Sequence, residues 1–351
     1  MIRKSLAGFF MQNINVPDEF ELADRVYRLC AVDADSIAYS AACSAEKTEY
    51  ELYDTNGDFV ERFKSAKECK SHLTELEEFL MEDVSGYERR SVVVDSGIEA
   101  ATKALKSIVK QITTEVTAND YRYYLTGENN FRKDVATLKK YKGNRDDVLK
   151  PKYLNAMREY LISNYQAIVI DRAEADDATS VALYNAFKKL EVACDVCLVS
   201  IDKDLLGTPG VHYNFKKKEW IFIDEFTADH HLFKQSLTGD RTDNIGGLND
   251  LTKEFREKYN LSKRKGVGDV TADALLSDCK DKYEMYQKVT DAYFDWYGHI
   301  FVYKDWTGVN RFGTFEDIAN ENIELVFMER VKGVRWKDYK RNYIKENDHG
   351  N

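Results

Sequence analysis

Four short apolar runs, each leading into polar or acidic residues, constrain this chain more than any other feature. "RLCAV" (28–32) ends at "DADS", "YRYYL" (121–125) leads to "TGENN", "QAIVI" (166–170) leads to "AEADD", and "DVCLVSI" ends at Asp202. Runs this short, with little alternation, read as buried strands. Between them, "SAKECKSHLTELEEFLMED", residues 99–112, residues 152–163 and "EADDATSVALYNAFKKL" carry helical patterns, the first opened by a serine cap. Strands alternating with helices through about residue 223 predict an α/β fold with a mainly parallel central sheet. Asn56-Gly57 marks a hairpin inside "EYELYDTNGDFVERF", and "GVHYNFKKKEWIFI" reads as another. After Asp243 the pattern reads as wholly helical, with aromatic residues spaced through "YEMYQKVTDAYFDWYGH".

Composition narrows the class. A chain of 351 residues, 43% hydrophobic, with little low-complexity sequence, has the makings of a globular protein with a substantial core. No apolar run approaches the roughly 20 residues of a membrane span. "MIRKSLAGFFMQNINV" lacks a convincing cleavage site, so residues 1–27 are expected to be an extension of a cytoplasmic protein. Cys194 and Cys197 form a CxxC, but no second Cys or His pair completes a zinc site, and both are expected in the core. The net charge of −10 argues against nucleic acid only as an average. From Phe131 to Lys152 there are eight Lys/Arg against three Asp, and Lys263, Arg264 and Lys265 form a second basic stretch.

The acids lie where the strands end. Asp33 and Asp35 follow the first, Glu128 the second, Glu174, Asp176 and Asp177 the third, and Asp202 and Asp204 the fourth. Asp240 and Asp243 sit in "LTGDRTDNIGG" at the start of the helical region. Each group has a plain alternative as a helix first turn or a loop former. Together, so many carboxylates at the carboxyl edge of one sheet would repel one another unless cations held them. Hard oxygen donors without His or Cys favour Mg²⁺ or Mn²⁺, and their number favours two ions around a phosphoryl centre.

"AVDADSIAY", "YKGNRDD", "AEADDATSVAL", "SIDKDLL", "LTGDRTDNI" and "GVGDVTADALL" resemble, in order, the motifs of the structure-specific 5′-nucleases, a family of flap endonucleases and 5′→3′ exonucleases that includes phage members. The resemblance covers roughly residues 28–280. It implies a PIN-like nuclease core over 28–236, with a basic helical arch at about 126–152. A helix–three-turn–helix would follow at 237–280, interrupted by an insertion at about 248–265, and then a helical region over 281–351. It also implies two Mg²⁺ ions, replaceable by Mn²⁺, held by Asp33, Glu174, Asp176, Asp177, Asp202, Asp204, Asp240 and Asp243. Lys142 and Arg145 would act on the scissile phosphate. Phe131, Arg132, Lys133 and Tyr141 would contact the 5′ end, and Gly266, Gly268 and Thr271 the duplex backbone, with K⁺ at that turn. The substrate implied is DNA with a duplex and a free 5′ end or flap, RNA/DNA hybrids being a further candidate, in the host cytoplasm if the chain is phage-encoded.

Three departures stand out. Gly127 occupies the place of the family's second-strand aspartate, leaving Glu128 as a neighbouring substitute. "GLNDLTKEFREKYNLSKRK" separates two motifs that usually abut, and "DADSIAYSA" lacks an arginine the family often has. Rival readings are a non-catalytic DNA-binding replication protein, a haloacid dehalogenase-type phosphatase with Asp33 as nucleophile, and a PIN-type ribonuclease.

Overall fold

The apolar runs become strands of one sheet: Leu29–Asp33 and Val196–Val199 are buried on both faces, while Ile168–Ile170 forms an edge with Ile168 and Val169 exposed. The computed structural model describes residues 16–146, 148–249, 257 and 266–345. Among these the strands are β1 (Leu29–Asp33), β2 (Glu46–Tyr53), β3 (Phe59–Phe63), β4 (Glu88–Asp95), β5 (Tyr121–Thr126), β6 (Ile168–Ile170), β7 (Val196–Val199), β8 (Gly210–Asn214), β9 (Glu219–Ile223), β10 (Ile300–Lys304) and β11 (Asn310–Thr314). Residues 36–110 and 149–165 form one body; the other described residues form a second, larger one.

In the larger body the sheet order is β6-β5-β1-β7-β8-β9. The first five strands are parallel, and β9 returns antiparallel to β8 in the expected hairpin. Every residue of β1 is buried. The chain places β5 and then β6 on one side of β1, and β7 on the other. The strand order therefore reverses at β1, the position at which open α/β sheets put their sites. Helix Ala175–Leu190 covers the sheet with Ala175, Thr179, Leu183, Ala186 and Phe187, a stripe of helical period. Burying the large members of such a stripe contributes about 1.5–3 kcal/mol each. Cys194 and Cys197 are free thiols inside this core.

A second apolar cluster joins helices Glu225–Thr238, Asp269–Leu276, Lys282–Tyr297 and Phe315–Val326 around Phe233, Tyr293 and Trp336. The expectation of an all-helical region after Asp243 is corrected here. Gly298 (φ +70°) closes helix Lys282–Tyr297, and β10 and β11 then pair antiparallel from Ile300↔Thr314 to Lys304↔Asn310. Asp305 holds the hairpin tip, accepting from the Thr307 and Val309 amides at 2.9 and 3.0 Å and from Arg311 at 2.7 Å. The apolar run "IFVY" before the Asp-Trp-Thr-Gly turn is strand chemistry that the preceding aromatic helix pattern obscures.

One further expectation is modified, and another lies partly outside the described residues. Where the arch was expected, the described residues carry only helix Arg132–Val135 and a 3₁₀ turn, Gly143–Arg145, in place of a long helix. At 237–280, helix Asp269–Leu276 starts from Gly268, but the insertion beyond Asn249 lies, Glu257 apart, outside the described residues.

The smaller body is built on the antiparallel sheet β3-β2-β4. Asp54 forms its turn by accepting from the Asn56 and Asp58 amides, and Gly57 takes φ +83°. Ser65 caps helix Ala66–Phe79, accepting from the Glu68 amide at 3.2 Å. Lys152 and Tyr153, just before helix Leu154–Tyr165, both bind Asp95 at the end of β4, at 2.5 and 2.8 Å.

Candidate active site

The site begins at the end of β1. Asp33 is buried, and β7 lies alongside, so Ser200 donates to Asp33 Oδ2 at 2.9 Å. Ser200 Oγ in turn accepts from the Asp202 amide (3.0 Å), and Asp202 Oδ1 from the Asp204 amide (2.9 Å). Gln235 then donates to Asp204 at 2.6 Å. On the other side of β1, the Thr126 amide donates to Asp35 at 2.7 Å. The Thr126 hydroxyl accepts from the Ala175 amide at 2.9 Å. That contact docks the first turn of helix Ala175–Leu190 on the end of β5 and carries Glu174 and Asp176 toward β1.

The electrostatics record the gathering. Asp176 Oδ1 is buried with no hydrogen-bond partner. Burial, and then the charges of Asp33, Asp202 and Glu174, push the Asp176 carboxyl well above the usual carboxylate range. Asp204 is pushed up to about 7, first by burial and then by Asp202 and Asp240. Asp202 is raised as well, by the protein around its carboxyl and by Asp243 and Asp240.

Asp240 and Asp243 arrive on a closed loop. The Asp240 amide and carbonyl exchange hydrogen bonds with Ile245 (3.1 and 2.7 Å), and the Asp240 carboxylate accepts from the Thr242 amide at 2.6 Å. Gly247 takes φ +59°, and a Cβ there would meet the Leu237 carbonyl at 2.6 Å. The second of the two glycines that follow the acids is thus demanded by a backbone that doubles back on itself.

Cations already face these acids. Lys142, held in the left-handed region at φ +56°, pairs with Glu174 and lies 3.5 Å from Asp243. Burial alone would lower its ammonium, but Glu174 and Asp243 outweigh that and hold it above its ordinary value. Arg145 pairs with Asp243, and Lys203 lies 2.9 Å from Asp240. The buried Tyr141 hydroxyl lies 2.7 Å from Asp243 and 3.1 Å from Glu174, with one proton to share between them. The backbone joins in, since the Lys142 amide donates to the Asp243 carbonyl and the side chains of Asn144 and Asn244 bind carbonyls of the opposite segment. The basic segment is thereby laid along the acidic loop.

Several expected residues stand elsewhere. Arg132, expected to meet a nucleic acid, is fully buried. Its guanidinium donates to both oxygens of Asp177 (2.7 and 2.8 Å) and to the Phe327 and Leu325 carbonyls. Asp177, expected among the metal ligands, also accepts from the Glu174 amide at 2.9 Å and the Glu329 amide at 3.0 Å. Phe131 is buried, with the guanidinium carbons of Arg132 and Arg335 4.7 and 5.1 Å from the centre of its ring, which leaves little surface for a base. Lys133 is exposed. Glu128 is exposed, and among the described residues no hydrogen bond or ion pair joins its carboxylate to the other acids. At Gly127 a Cβ would meet the Ile170 carbonyl at 2.6 Å, so close pairing with β6 excludes a larger residue there. Gly266, Gly268 and Thr271 lie around the start of helix Asp269–Leu276, where the Thr271 amide donates to the Gly268 carbonyl at 3.0 Å.

Lys203, Ser200 and Gln235 are site residues that motif reading passed over. The first two stand inside "SIDKD", where a lysine between two acids is a readable signal. Gln235 has no local signal. Among the described residues, no three His, Cys, Asp or Glu side chains stand in a ready metal-binding arrangement. The donor chemistry nevertheless fits a hard divalent cation: the side chains are carboxylates, the Asp176 oxygen is buried without a partner, and lysines and arginine already balance charge at several of the others.

No family model matches the chain, and no curated protein matches it. Similar solved structures come from bacteriophage T5. One is a lysine-to-alanine mutant of the T5 5′-exonuclease: 14% identity, 64% of this chain and 78% of that chain covered, TM-score 0.38. Another is the T5 D15 protein co-crystallised with metal ions: 13% identity, 86% and 98% covered, TM-score 0.39. A third is the T5 D15 flap endonuclease in a pseudo-enzyme–product complex with DNA and metal ions: 14% identity, 64% and 90% covered, TM-score 0.35.

Proposed function

We propose that this chain is a divalent-metal-dependent 5′-nuclease, a 5′→3′ DNA exonuclease that also cuts 5′ flaps and serves primer removal in replication. The observation that carries the reading is the convergence of Asp33, Glu174, Asp176, Asp202, Asp204, Asp240 and Asp243 from four chain segments, with Lys142 and Arg145 beside them. The ordered motifs of the sequence point the same way. Divalent ions held by those carboxylates would make an attacking water more acidic and stabilise charge on a departing phosphodiester oxygen.

The chain's own residues have separate tasks. Ser200 orients Asp33, Gln235 orients Asp204, and Tyr141 spans Glu174 and Asp243. Lys142 and Arg145 exchange their carboxylate partners for the scissile phosphate, where a guanidinium contacts two oxygens at once. Asp177 is assigned a supporting role, because all of its described partners are protein donors. Lys133, on the exposed surface, is left to meet the 5′ end, and Gly268 and Thr271 the duplex backbone.

A second reading, a DNA-binding protein of the same kind without catalysis, draws support from Gly127, whose position excludes an aspartate. Asp202→Asn separates the two. If the nuclease reading holds, the substitution abolishes Mg²⁺-dependent cleavage and leaves duplex affinity close to that of the parent. Equal cleavage by variant and parent would remove Asp202 from the metal set.

A further inference from the structure

The segment Leu325–Arg330 reaches both acidic arms through buried arginines. On one side, the Phe327 and Leu325 carbonyls accept from Arg132 at 2.7 and 3.1 Å, and Arg132 grips Asp177 in the first turn of helix Ala175–Leu190. The Glu329 amide closes the circuit on Asp177. On the other side, Arg330 donates to the Gly207 carbonyl at 3.1 Å, at the end of the 3₁₀ turn Asp204–Gly207. It is itself fixed by Asp229 at 2.7 Å and the Tyr343 hydroxyl at 2.8 Å.

We infer that Leu325–Arg330 is a brace, with Arg132 and Arg330 as positioning residues that set the separation between the Glu174/Asp176 arm and the Asp202/Asp204 arm. This rests on the nuclease reading above. Carboxylates of like charge drift apart unless a frame resists them; the Ser180–Thr208 hydrogen bond (2.7 Å) joins the two arms directly, and the two arginines add charged contacts to that link. A guanidinium suits the task because its planar donors reach four fixed acceptors at Arg132, which a single ammonium does not span. Groups that orient metal ligands from behind typically change metal affinity about 10–100-fold when altered.

The test is calorimetric titration of the full chain with Mn²⁺ alone, each protein held well below its own melting midpoint. Arg132→Lys and Arg330→Lys are compared with Val289→Ala, a change in the helical core that loses stability without touching either arm. The brace predicts that Mn²⁺ affinity falls roughly 10-fold or more in each arginine variant and not in Val289→Ala. If Arg132→Lys does not fold, Arg330→Lys decides alone. Arginine variants that bind Mn²⁺ like the parent, or Val289→Ala losing as much affinity as they do, would overturn the brace alone. A parent that binds no Mn²⁺ would overturn the nuclease reading, and the brace with it.

Discussion

Two adjacent acids, Asp176 and Asp177, should respond to substitution in opposite ways. Asp177 is fully buried and accepts four hydrogen bonds, two of them from Arg132. Asp177→Ala strands a buried guanidinium whose remaining partners are two carbonyls and the Met328 sulfur, with Glu174 3.7 Å away. Breaking a buried ion pair from one side costs about 3–5 kcal/mol. With roughly 2–4 °C per kcal/mol for domains of 150–250 residues, the melting midpoint should fall by about 6–20 °C. Asp176→Asn instead removes one charge from a buried cluster of like charges. Stability in EDTA should then stay level or rise, while the stabilisation conferred by Mn²⁺ shrinks. Thermal melts of the three proteins in EDTA and in Mn²⁺ read both effects. An Asp177→Ala protein that melts with the parent in EDTA but has lost its Mn²⁺ response would refute the reasoning and return Asp177 to the ligand set.

Lys142→Ala should slow single-turnover cleavage by about 10–150-fold, the equivalent of a charge-assisted hydrogen bond worth about 1.5–3 kcal/mol, while duplex affinity changes much less. Loss of affinity with an unchanged single-turnover rate would reduce Lys142 to steering. The β10–β11 hairpin should loosen only in acid. Hydrogen bonds from Thr307 and then Arg311 hold the Asp305 carboxyl well below the usual range. A depressed carboxylate stabilises the fold above its unfolded pKa of about 3.9 and loses that contribution as pH falls toward its folded value. Trp306, whose indole donates to the Ala136 carbonyl at 3.0 Å, reports the change. Its emission, taken as the difference between parent and Asp305→Ala, should be steady from neutral pH to about pH 4 and converge below it; convergence near neutrality would count against the assignment.

The sheet was legible because β1, β5 and β7 are largely buried, and burial on both faces writes near-continuous apolar runs into a sequence. By contrast, β4 was hidden in "ERRSVVVD", whose paired arginines and run of three valines, Val93 among them exposed, lack the sequence alternation of a strand with one buried face. The acidic edge was readable by the same logic, since the loops that follow strand ends in a parallel sheet share one edge, although Glu128 on that edge stays exposed. What could not be read is which acids spend their charge on protein. Arg132 looked like one member of a basic run, yet its partner lies 45 residues away and its carbonyl acceptors beyond residue 320. Such pairing leaves no local pattern. The segment that closes the Arg132 and Arg330 networks was equally silent, because the Leu325 and Phe327 carbonyls, the Glu329 amide and the Arg330 side chain all meet partners distant in the chain.

The most direct measurement uses a DNA duplex bearing a 5′ single-stranded flap, with different labels on the 5′ and 3′ ends, incubated with the full chain in Mg²⁺ or in EDTA. The account predicts mononucleotides from the 5′ end, a released flap, or both, in Mg²⁺ and neither in EDTA. Salt-sensitive binding without any cleavage in Mg²⁺ or Mn²⁺ would contradict it, and would make the glycine at position 127 the first residue to explain.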